Sequence, residues 1–161
     1  METAKPIVRR IAAACRARGL QVATAESCTG GRIAHLLTAE PGASDWYPGG
    51  IVAYANAVKS AALDVPQELI VAHGAVSAEV AAAMAVGARA RFHADLAVAV
   101  TGIAGPGGGT PTKPVGLIWI AVADARGAEA RQIVGPGGRD ANREAAAHAA
   151  LLLLAERAEA A

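Results

Sequence analysis

From Asp95 to Val100 the chain reads Asp-Leu-Ala-Val-Ala-Val, an apolar run without polar alternation. A strand of this pattern has no face to offer water, so it belongs inside a sheet with both faces covered. Helical segments able to supply that cover lie on either side of it in sequence. Residues 5 to 18 place Ile7, Ile11, Ala14 and Cys15 on one helical face, and Gly19 is placed to end that helix. Leu20 to Ala25 reads as a short strand, and Thr29-Gly30-Gly31 turns the chain into a helix from Arg32 to Thr38. After a loop at Pro41-Gly42-Ala43-Ser44, Gly50 to Tyr54 reads as a second strand. Asn56 is placed to cap a helix through about Leu63, Pro66 opens a short helical turn, and Ser77 caps a helix to about Phe92.

Beyond the apolar strand lies a loop, Gly102 to Pro114, with five glycines and three prolines. Val115 to Ala123 and Glu129 to Val134 then pair as an antiparallel hairpin turning at Gly127, and a final helix runs from about Asp140 to Glu159. Strands that first alternate with helices and then pair as a hairpin predict an α/β fold: one three-layer α/β/α domain over residues 1–161 with a mixed central sheet. Internal repeats and linkers are absent. Hydrophobic residues make up 53% but aromatics only 3%, so the core must be close-packed Ala, Val, Leu and Ile. The row Leu151 to Leu154 carries more apolar surface than one helix face needs, which favours a homo-oligomer.

Charge and cysteine content narrow the function. The net charge is +1 with no basic segment, which argues against nucleic acid as a partner. Two cysteines, Cys15 and Cys28, suit reduced thiols rather than a disulfide scaffold. Met1 to Pro6 lacks the apolar block of a signal peptide, and no apolar run is long enough to span a membrane. The expectation is a soluble cytoplasmic protein.

Four segments carry chemistry. Ser27 follows a strand and precedes Thr29-Gly30-Gly31 and a helix, a turn that presents a side chain at the sheet edge. Amides at that helix start can receive an anion, and the glycines permit close approach. Ser27 is thus a candidate nucleophile; helix capping is the other reading. Its neighbour Cys28 is a rival nucleophile without an evident histidine to form a thiolate. None of His35, His73, His93 and His148 sits in a triad context. Lysine can act as a base instead when burial leaves it neutral. Lys59 lies one helical turn past Tyr54, so both can face one pocket; a solvated lysine and a packing tyrosine are the alternative. Thr101-Gly102-Ile103-Ala104-Gly105-Pro106-Gly107-Gly108-Gly109 follows the buried strand as a ligand loop does, yet fits neither the P-loop nor the dinucleotide pattern. Arg139, beside a helix N-terminus, suits a phosphate, with Arg143 as its alternative. No Cys or His pair has metal-ligand spacing, so neither metal nor other cofactor is expected.

Together these segments resemble the CinA C-terminal domain family. The match runs through Thr24 to Gly31, Gly49 to Lys59, His73-Gly74-Ala75-Val76-Ser77, Thr101 to Gly109 and Lys113-Pro114-Val115-Gly116 to the arginine-bearing last helix. The resemblance implies an enzyme that hydrolyses the carboxamide of nicotinamide mononucleotide (NMN) to nicotinate mononucleotide and ammonia. It implies Ser27 as nucleophile, Lys59 as base and Tyr54 assisting, with Thr101 and Arg139 as further active-site positions. Amides near Thr29, Gly30 and Gly31, or at Gly102, are then expected to stabilise the oxyanion, and Arg139 with the loop around Gly105 to hold the phosphate. The alternative is a non-enzymatic module that binds a nucleotide or a protein partner. Two departures stand out: the family commonly has Gly-Asp-Arg where this chain has Gly137-Gly138-Arg139, and Asn142 replaces a usually apolar residue.

Overall fold

The computed structural model describes residues 4–161; residues 1–3, the start of the segment inspected for a signal peptide, lie outside the described residues. Helix α1 (Lys5–Arg18) starts with Pro6 in its first turn, where a missing N–H is harmless, and ends at Gly19 in a left-handed conformation with φ 66°. Strands β1 (Val22–Glu26), β2 (Gly49–Val52), β3 (Leu96–Gly102), β4 (Leu117–Asp124) and β5 (Gly127–Val134) form one sheet in the order β2-β1-β3-β4-β5. Strand β1 runs parallel to β2 and β3, while β4 and β5 are antiparallel additions. The remaining helices are α2 (Arg32–Thr38), α3 (Asn56–Leu63), α4 (Gln67–His73), α5 (Ala78–Arg91) and α6 (Arg139–Ala160). The expected α/β/α layering and mixed sheet are present.

The two faces of the sheet differ in side-chain size. On one, Val98, Val100, Ile118, Ile120 and Val122 pack under α1, α2 and α6, against Ile11, Ile33, Leu37, Leu151 and Leu154. On the other, Ala23, Ala25, Ala97, Ala99, Ala121 and Ala123 meet Val80, Met84 and Ala85 of α5. The Leu-Ala-Val-Ala-Val run is therefore apolar on both faces but large on one and small on the other. The small face lets α5 lie low on the sheet, where it also meets the end of α3. A Cβ on Gly87 of α5 would stand 1.9 Å from the Leu63 carbonyl oxygen. Gly87→Ala should therefore push α5 from α3 and destabilise the domain by about 1–3 kcal/mol, read as a lower thermal unfolding midpoint.

Some boundaries move. The first strand begins at Val22 and extends to Glu26, which lies opposite Val52 and Val100. Asn56 opens α3 rather than capping it; Ala55 is the N-cap and no side chain caps the helix. In α6, Leu151, Leu153 and Leu154 are buried and Leu152 is partly exposed. The leucines of this row other than Leu152 are thus covered within the chain. No helix among the described residues is long and apolar enough to cross a membrane.

Chain direction places the site. From β1 the chain passes through α2 to β2 on one side, then returns through α3, α4 and α5 to β3 on the other. The carboxyl end of β1 is thus the point where successive connections diverge, the usual crevice for ligands in an α/β sheet.

Candidate active site

Ser27 is the first residue past β1. Its amide still bonds to the Val100 carbonyl at 2.9 Å, so the sheet fixes its backbone. Its hydroxyl accepts from Lys59 Nζ at 3.0 Å. Lys59 projects from α3 and is almost fully buried. The same Nζ donates to the carbonyls of Ala53 at 2.9 Å and Tyr54 at 3.1 Å. Burial lowers the Lys59 pKa from its ordinary value, because a dry site disfavours the ammonium. No carboxylate is hydrogen-bonded to this ammonium among the described residues. A neutral amine can give its two protons to the two carbonyls and point its lone pair at the Ser27 hydroxyl. That is the arrangement of a general base.

The nearest carboxylate in sequence, Glu26, faces elsewhere. It is buried beneath α2 and accepts from the amides of Gly31 at 3.0 Å, Ile33 at 3.1 Å and Ala34 at 2.8 Å. An acid here satisfies the orphan donors at the start of α2 and suits the positive end of its dipole. The Gly30 amide is engaged too, with the Ser27 carbonyl at 3.1 Å. The amides of Gly30 and Gly31, expected to face a ligand, thus bond within the protein, and Thr29, Gly30 and Gly31 stand outside the cavity lining. Cys28 does line the cavity, but burial pushes its thiol up to about 11, far from the thiolate a nucleophile needs.

A cavity of about 290 Å³ opens beside Ser27. It brings together Ser27, Lys59, Tyr54, Thr101, Gly102, Gly105 and Arg139, all of which are site candidates from the sequence. Thr101 Oγ1 donates to the Ala75 carbonyl at 2.9 Å, so it braces the cavity wall at Ala75 and Val76. Lys113 holds the same wall, donating to the carbonyls of His73 and Val76. Both this wall and Glu26 lie in segments that carry the family resemblance, but the sequence marks neither the brace at the wall nor Glu26 as a cap; an acid just ahead of a glycine-led helix is the one available hint for Glu26. The His73 ring faces Glu79 at 3.5 Å, and no histidine lines the cavity.

Arg139, at the start of α6, donates to the Gly105 carbonyl at 2.8 Å and the Tyr54 hydroxyl at 3.0 Å. Arg143 instead donates to the carbonyls of Cys28 at 3.0 Å and Thr29 at 3.2 Å and is absent from the lining. Of the two arginines, then, Arg139 is the one with access to a ligand. Tyr54 is more than half exposed and touches Lys59 only through its carbonyl. Its hydroxyl is oriented by Arg139 and bonds to neither Lys59 nor Ser27. Tyr54→Phe should accordingly lower kcat little and raise KM several-fold, roughly the worth of one hydrogen bond. Steady-state kinetics separate the two, and a hundredfold loss of kcat would restore the hydroxyl as a proton relay.

The CinA C-terminal domain model matches residues 4–158. The chain belongs to the CinA C-terminal domain family. It is 55% identical over 148 residues to a CinA-like protein of Anaeromyxobacter sp. (strain K), covering 92% of this chain and 35% of that one. A CinA-like protein of Gemmatimonas aurantiaca is 52% identical, covering 85% of this chain and 32% of that one. The chain thus spans about a third of the length of these curated relatives. Among solved structures, the competence/damage inducible protein CihA from Agrobacterium tumefaciens superposes with TM-score 0.90 at 44% identity, covering 93% of this chain and 92% of that one. A CinA superfamily protein from Klebsiella pneumoniae gives TM-score 0.92 at 32% identity, with 98% of both chains covered.

Proposed function

We propose that this CinA domain hydrolyses the carboxamide of NMN, releasing nicotinate mononucleotide and ammonia. The observation that carries the proposal is the direct Lys59 Nζ to Ser27 Oγ contact, with two carbonyls holding the amine and its charged form disfavoured by burial. Neutral Lys59 takes the Ser27 proton as Oγ attacks the amide carbon. The tetrahedral intermediate carries its charge on the former carbonyl oxygen; of the residues whose amides are expected to meet it, Gly102 lines the cavity. Lys59 then hands the proton to the departing nitrogen, the C–N bond breaks, and ammonia leaves. Water, deprotonated by the same lysine, adds to the acyl-serine; the ester bond breaks and Ser27 recovers its proton.

Arg139 supports the choice of a nucleotide amide. It places a permanent cation on the lining of the cavity that holds Ser27, and no acidic residue among the described residues lines it. A substrate with a carboxamide at one end and a phosphate at the other fits that polarity. Incubation with NMN should release ammonia in step with nicotinate mononucleotide. Saturable NMN binding with no ammonia would favour the non-enzymatic module instead. A panel of other carboxamides tests the pyridine: faster turnover of one of them would replace NMN as the substrate while keeping the amide chemistry.

A further inference from the structure

Asn142 lies on the first turns of α6 and is completely buried. A buried carboxamide is unfavourable unless both of its ends are paired, and here both are. Its Nδ2 donates to the Ala104 carbonyl at 3.0 Å, and its Oδ1 accepts from the Gly137 amide at 2.9 Å. The donor and acceptor ends meet groups of opposite kind, so the side chain has one satisfactory orientation. The backbone makes room for it. A Cβ on Gly135 would stand 2.2 Å from Oδ1, and one on Gly116 3.7 Å from it. Gly135 and Gly116 are themselves joined, amide to carbonyl, at 2.8 Å. Three loop segments, at Ala104, Gly116 and Gly135 to Gly137, thus converge on a single side chain.

We propose that Asn142 is a positioning residue that sets Arg139 and the glycine-rich loop at the spacing needed for the phosphate end of the substrate. The inference rests on the reading of Arg139 as the phosphate-binding residue. Ala104 is the chain neighbour of Gly105, whose carbonyl Arg139 holds, and Gly137 lies two residues before Arg139. The Asn142 brace is the inner tie between these two segments, and Arg139 to Gly105 is the outer tie at the cavity. Loss of the inner tie leaves the outer one to hold the loop alone. With φ 78°, Gly138 has the backbone freedom of glycine and no side-chain cap, and Asn142 supplies the side-chain anchor of this turn from four residues further on.

The test compares Asn142→Leu and Asn142→Asp with the unaltered chain on two substrates, NMN and nicotinamide riboside, which lacks the phosphate. Leu leaves the Ala104 carbonyl and Gly137 amide unpaired; Asp keeps the shape and the acceptor but sets an anion against the Ala104 carbonyl. The expected result is a fall of about tenfold in the ratio of kcat/KM for NMN to that for the riboside, carried by the KM for NMN rather than by kcat. An unchanged ratio in a folded variant overturns the proposal, and Asp serves where Leu fails to fold. Ribose 5-phosphate binding, measured by calorimetry, separates this inference from the amide chemistry. Binding that weakens about tenfold in Asn142→Asp sustains the role of Asn142 even if the unaltered chain releases no ammonia. Deamidation of NMN with an unaltered KM in the variant leaves the enzyme and removes this role.

Discussion

Ser27→Ala should abolish ammonia release from NMN, with kcat falling by roughly 10,000-fold or more, as for other enzymes that lose a serine nucleophile. The reason is local. Oγ is the acceptor of the Lys59 amine, and no other hydroxyl or thiol in the cavity meets the same base. Thr101 is committed to the Ala75 carbonyl, and the Cys28 thiol is kept protonated by burial. The fold should survive, because the backbone of residue 27 is held by the Val100 carbonyl and not by its side chain. A thermal unfolding curve close to that of the unaltered chain, with no ammonia, is the expected pair of observations. Retention of a tenth of the activity would return the nucleophile question to Cys28.

Lys59→Met is the second large effect, a loss of about 100- to 10,000-fold in kcat, the usual contribution of a positioned general base. Methionine fills the buried stem volume but offers no lone pair to Ser27. The pH dependence is the sharper reading. Burial lowers the Lys59 pKa below 10.5, so kcat/KM should rise with pH as the amine loses its proton and level off before 10.5. In Lys59→Met the residual rate should lack that rise. The same shift has a sign in stability. The unfolded chain keeps the Lys59 proton up to about its ordinary pKa, while the folded chain releases it earlier. Between those two values the unfolded state binds more protons, so stability increases with pH across that window. Denaturant titrations in the variant should lose this increment.

How far the fold was legible depends on what each segment says by itself. The unbroken Leu96 to Val100 run speaks for a covered strand, and the hairpin around Gly127 speaks for its antiparallel neighbour; both are present. The unequal faces of the sheet were written in the same run, as Ala alternating with Val, but hydropathy alone treats the two alike. Asn56 looks like a cap because its side chain can serve as one, yet the observed helix start leaves capping unmade. For the site, Ser27, Lys59 and Arg139 stand in recognisable segments. Gly30 and Gly31 are ambiguous because glycine before a helix fits both a ligand cradle and a tight turn. In the fold Glu26 takes the Gly31 amide and the Ser27 carbonyl takes that of Gly30, contacts invisible until α2 is folded back over β1. Asn142 stood out as a departure from the family's usual apolar residue, but its partners lie 38 residues upstream and 5 residues before it, and only the fold joins them.

The side chains in and behind the cavity wall share one habit: they fasten onto main-chain oxygens. Lys59 grips residues 53 and 54, Thr101 and Lys113 grip 75 and 76, Arg139 and Asn142 grip 105 and 104, and Arg143 grips 28 and 29. A carbonyl is present whatever residue occupies the position. The side chains of Ala75, Val76 and Ile103 can therefore be exchanged without unfastening the frame. If the proposed chemistry holds, small libraries at those three positions should shift which amides are accepted while leaving the Lys59–Ser27 contact in place.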